Sequence, residues 1–63
     1  MDTDRAGLSA LATSLDELTT RITAAADGLR GTPRADVADE LYEVERSLLT
    51  ASRKLNRVLR RMR

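Results

Sequence analysis

The sequence predicts an all-α fold: an antiparallel hairpin of two coiled-coil-like helices that dimerises into a four-helix bundle. Three observations carry this expectation. An apolar stripe recurs in alternating steps of three and four, one cluster of turn residues lies near the midpoint, and the chain has 63 residues with no cysteine. A single domain this short buries only about 60% of its unfolded surface and needs a disulfide, a metal or a partner subunit to hold it. Cysteine and histidine are both absent, which removes disulfides, thiolate metal sites and the commonest metal ligand and general base. Self-association is the reinforcement left.

The first helix is read over 4–29. Leu8, Leu11, Leu15, Leu18, Ile22, Ala25 and Leu29 follow one another at the spacing that keeps them on one helix face. The turn is read over 30–32. Gly31 suits the left-handed position after a helix, Thr32 suits an N-cap and Pro33 suits the first position of the next helix. The second helix is read over 33–62, with Asp36, Asp39 and Glu40 near its start and bases near its end, as the helix dipole prefers. Its seam is Val37, Leu41, Val44, Leu48, Ala51, Leu55, Val58 and Met62.

Every seam position on both helices is apolar, the a/d signature of a coiled coil. A turn this short makes the helices antiparallel. Pairing Leu29 with Val37 then sets Ala25 against Leu41, Ile22 against Val44, Leu18 against Leu48, Leu15 against Ala51, Leu11 against Leu55 and Leu8 against Val58. Each seam alanine meets a leucine, as interdigitating layers require.

A two-helix seam is covered from one side only, so a second surface is needed to close the bundle. Helix two carries a second stripe, Ala38, Tyr42, Glu45, Leu49, Ser52, Asn56 and Leu59, and helix one a line of small residues, Ser9, Ala12, Thr19, Thr23 and Ala26. Self-association or partner binding is therefore expected through Ala38, Tyr42, Glu45, Leu49, Ser52 and Leu59, with a homodimer favoured. Tyr42, the sole aromatic residue, is expected to fill this interface with its hydroxyl kept wet.

Charge is divided sharply along the chain. Residues 1–29 sum to −3, residues 30–52 to −2, and the last eleven, with Arg53, Lys54, Arg57, Arg60, Arg61 and Arg63 and no acid, to +6. This basic end is expected to meet the acids Asp2 and Asp4, an acidic partner protein or, less favoured, nucleic acid. The lack of stacking aromatics and of a helix-turn-helix pattern weighs against nucleic acid. Asp36, Asp39, Glu40 and Glu43 line one helix face, but without histidine or a pocket to separate their pKa values they suit neither a two-metal site nor acid–base chemistry. No catalytic, cofactor-binding or metal-ligating residue is assigned, and no small-molecule site is evident. The longest apolar runs are a few residues, as at Ala24–Ala26, so no membrane segment or signal peptide is read and a cytoplasmic protein is expected.

One family shares part of a helix pattern with this chain. The cyclic-di-GMP-responsive anti-sigma hairpins carry Glu-x3-Ser-x2-Arg-x3-Gln-x3-Asp. Glu43 and Ser47 match its first two positions, while Thr50, Lys54 and Val58 stand at the Arg, Gln and Asp positions. The dinucleotide-reading set is absent and no site is carried over. The likeness implies only that the chain resembles short hairpins that clamp a transcription factor. The expected function is a non-enzymatic helical interaction module, regulatory or adaptor in kind.

Overall fold

The computed structural model describes residues 4–62. Two helices, α1 over Arg5–Leu29 and α2 over Ala35–Arg61, pack against each other as a hairpin. Together they form a rod of 47 × 17 × 15 Å.

Asp4 starts α1 by capping it. Its backbone is extended and its Oδ1 accepts from the Gly7 N–H at 2.7 Å, satisfying one of the donors that a helix start leaves unpaired. The threonines within α1 turn their hydroxyls back on the helix. Thr13, Thr19 and Thr20 donate to the carbonyls of Ser9, Leu15 and Asp16, at 3.3, 2.8 and 3.1 Å, and the single Thr23 hydroxyl proton is shared between the Thr19 carbonyl at 3.0 Å and Glu45 of α2. The first three bonds satisfy their hydroxyls without leaving the helix.

The turn is built on Gly31, whose φ of +82° lies in the left-handed region expected of it. Around it the Arg30 N–H donates to the Ala26 carbonyl and the Thr32 N–H to the Leu29 carbonyl. Thr32 does not cap a helix beginning at Pro33. Its hydroxyl donates to the Leu29 carbonyl and accepts from the Arg34 N–H, so 32–34 complete the turn. The helical ladder begins when the Ala38 N–H reaches the Arg34 carbonyl at 3.2 Å. Helix α2 therefore starts two residues later than the Thr-Pro signal suggests.

The packing face differs from the expected one. Between the helices are buried Ala12, Thr19 and Ala26 of α1 and Ala38 and Leu59 of α2. Ala26 is 0% and Ala38 1% exposed. With the leucines at a and d, Ala12, Thr19 and Ala26 occupy the e line of α1, and Ala38, Glu45, Ser52 and Leu59 the e line of α2. The hairpin closes through its two e lines, with the a-position leucines half-covered beside them and most d positions left outside.

The side-chain bridges show the same geometry: Ser52 Oγ donates to Asp16 Oδ1 at 2.8 Å, Thr23 Oγ1 to Glu45 Oε2 and Tyr42 Oη to Asp27 Oδ1. Leucine pairing would set Asp16 level with Thr50 and Thr23 level with Glu43, so α2 is displaced along α1 by about two residues, roughly 3 Å. The physical cause is the small residues of the e lines, which let the backbones approach, together with polar partners for Glu45 and Ser52 that would otherwise be half-buried alone.

Candidate functional site

Rotating the contact onto the e lines moves the leucines to one side. The a positions lie roughly 40° and the d positions roughly 100° from the e line, in the same rotational sense on both helices. Because the helices are antiparallel, these positions emerge on one common flank, and the bridges Asp16–Ser52, Thr23–Glu45 and Asp27–Tyr42 lie on the other. The hairpin thus has a polar flank and a leucine flank.

On the leucine flank, Leu8, Leu15, Ile22, Leu29, Leu41, Leu48 and Leu55 are half-covered by the opposite helix. Leu11 (50%), Leu18 (45%), Val44 (43%), Val58 (43%) and Met62 (40%) are exposed. No large side chain among the described residues is fully buried. The accessible surface of 4787 Å² exceeds the about 4,000 Å² expected of a compact monomer of 7.0 kDa. A contiguous apolar strip along a whole rod is what marks an interaction surface on a small protein.

The residues expected to form an external interface are mostly used inside the hairpin. Ala38 and Leu59 are buried, and Tyr42, Glu45 and Ser52 are half-buried, each of these three with a partner on α1. Asn56 folds back on the Ser52 carbonyl at 2.9 Å. Leu49 alone is exposed, beside a shallow groove with Thr19, Thr23 and Glu45. The external apolar surface consists instead of the seam residues that had been placed between the helices, above all Leu11, Leu18, Val44 and Val58. The seven-residue recurrence of small or polar residues at 12, 19, 26 and at 38, 45, 52 was the signal for the true contact line.

Asp27 holds the Tyr42 hydroxyl above the ordinary tyrosine range, chiefly because the phenol proton is hydrogen-bonded to the carboxylate and also through partial desolvation. The basic residues Arg53, Lys54, Arg57, Arg60 and Arg61 are exposed on the last turns of α2, where they complement the helix dipole. Arg53 reaches the Thr50 hydroxyl at 3.3 Å. Asp2 and Arg63 lie outside the described residues. Asp36, Asp39, Glu40 and Glu43 are all exposed, and no group of three or more metal-ligating side chains converges among the described residues. No helix among them is long and apolar enough to cross a membrane. No protein-family model, curated relative or solved structure matches the chain.

Proposed function

We propose that this protein is a non-enzymatic helical interaction module that works by covering its leucine flank, and that it does so first by self-association into a four-helix bundle. The observation that carries the reading is the exposure of Leu11, Leu18, Val44 and Val58 along one side of a rod in which no large side chain among the described residues is fully buried. A flank of this kind is the helix-on-helix mode of recognition, read through a and d anchors. The exposed cations at the end of α2 would steer acidic partners toward the assembled module, raising the encounter rate more than the affinity.

The test compares Leu18→Glu with Leu49→Glu by light scattering and circular dichroism. Leu18→Glu is expected to dissociate the assembly and lower helicity together. Leu49→Glu, on the polar flank, is expected to leave the mass unchanged. Equal masses for wild type and Leu18→Glu would overturn the reading.

A second reading has one observation in its favour: the five described cations from Arg53 to Arg61 are all exposed, with no acid among them. They would contact nucleic-acid phosphates without reading sequence. That reading predicts duplex binding that weakens steeply with salt and disappears in an Arg57→Ala, Arg60→Ala, Arg61→Ala variant. Absence of duplex binding at low salt rejects it.

A further inference from the structure

Resting on the reading that the leucine flank is the association surface, we infer that its occupant is a second copy turned end over end. In this arrangement α2 lies antiparallel on α2 of the second copy, and the two turns lie at opposite ends of the bundle.

Area and charge both point to this. One face of the rod measures 47 × 17 Å, a footprint of about 800 Å², which is the area each partner contributes to a stable standard-size interface. Two such hairpins can meet flank to flank with two-fold symmetry in two ways. In one, the turns share an end and α1 of each copy covers α2 of the other. In the other, each helix covers its own counterpart, reversed.

Charge separates the two. The first half of α2 carries Asp36, Asp39, Glu40, Glu43 and Glu45 against Arg46, and the second half Arg53, Lys54, Arg57, Arg60 and Arg61 with no acid. Shared ends would stack both basic halves at one end of the bundle. End-over-end packing sets each acidic half against a basic half.

The position next to the seam sharpens this. With e spent inside the hairpin, g is the charged position that borders the leucine flank, and g residues set partner orientation in coiled coils. On α2 the g line is Glu40, Ser47, Lys54 and Arg61, and on α1 it is Gly7, Ser14, Arg21 and Gly28. End over end, with the seam aligned, Glu40 of each copy comes within about two residues, roughly 3 Å, of the level of Arg61 of the other, and Ser47 likewise of Lys54. With shared ends, Glu40 and Arg61 would face only glycines.

The register of α2 agrees as well, while α1, set by the same axis, pairs Leu8 with Leu29 and Leu15 with Ile22 but leaves Leu11 and Leu18 between layers. Antiparallel α2 pairs every seam position in one alignment: Val37 with Met62, Leu41 with Val58, Val44 with Leu55 and Leu48 with Ala51. With shared ends, a two-fold axis along the rod forbids sliding. The pairing of α1 with the other α2 would then keep the displacement of about two residues already set inside the hairpin, roughly 3 Å from leucine alignment.

The experiment places one nitroxide on each chain through Arg34→Cys and measures the distance between labels in the full-length protein. The chain has no cysteine of its own, and Arg34 is exposed at the turn with no side-chain cap bond. End-over-end packing predicts labels separated by about the 47 Å rod length. Shared ends predict under about 25 Å, two helix layers plus the tethers. A short distance in a particle of dimer mass overturns the orientation and leaves the association surface intact. A monomer mass with no dipolar signal overturns both. A second label at Arg30→Cys, also exposed, must give the same answer, which guards against a variant that disturbs the turn.

Discussion

Enlarging the buried Ala38 should damage the hairpin more than enlarging any exposed or half-exposed alanine. Ala38 is 1% exposed and lies on the e line through which the helices meet. Leucine there adds three carbons to a contact that has no free volume at its surface. Overpacking of this kind costs about 1–3 kcal/mol. For a domain this small each 1 kcal/mol moves the melting temperature by about 4–8 °C, so a fall of roughly 4–24 °C is expected for Ala38→Leu. The assay is thermal circular dichroism at one fixed chain concentration, because the proposed association would make Tm depend on concentration. Ala10→Leu is the control: Ala10 is exposed on the outer face of α1, and its change is expected to stay within about 0.5 kcal/mol. Had the leucine seam faced inward, Ala38 would sit on the flank with room to spare. An Ala38→Leu variant that melts at or above the wild-type temperature would therefore refute the e-line packing.

Other consequences are as direct. Asp4→Ala removes the cap on Gly7 N–H and is expected to cost about 1 kcal/mol, while Asp4→Asn keeps an acceptor and most of that stability. Gly31→Ala forces a side chain to φ +82°, and since nothing lies within 4 Å of the added carbon the loss of about 1 kcal/mol is purely conformational. Gly28→Ala meets equally open space inside a helix and is expected to gain about 0.5–1 kcal/mol; a Gly31→Ala protein more stable than Gly28→Ala would contradict both. Ultraviolet titration should show the Tyr42 phenolate forming above its ordinary value, with Asp27→Ala bringing it back. The folded value is raised, so the Tyr42–Asp27 contribution is fully present below the unfolded tyrosine value of about 10 and is lost as pH rises through the folded one.

Much of this fold could be read from the chain. The three–four recurrence from Leu8 to Leu29 and from Val37 to Met62, and the glycine at 31, announce two helices and a turn because local propensity and backbone sterics decide them. Which way the leucines face is a different kind of question. A seam of leucines and a line of small residues lie within one helical step of each other on both helices, and either could have met in the middle. The outcome depends on Thr23 finding Glu45 and Ser52 finding Asp16 across the interface, pairings between residues far apart in sequence. The stripe read as external, from Ala38 to Leu59, closes the hairpin, and the stripe read as internal, including Leu11, Leu18, Val44 and Val58, faces outward. Thr32 misled for a local reason: its hydroxyl donates to the Leu29 carbonyl and accepts from the Arg34 N–H, so it closes the turn and the helical ladder starts only at Arg34.

The most direct test of the central claim is the solution mass of the unmodified chain by light scattering, followed from millimolar to low micromolar concentration. Covering the leucine flank with a second copy predicts a particle of twice the 7.0 kDa chain mass, losing helicity only as it dissociates. A stable, fully helical monomer across that range would contradict it.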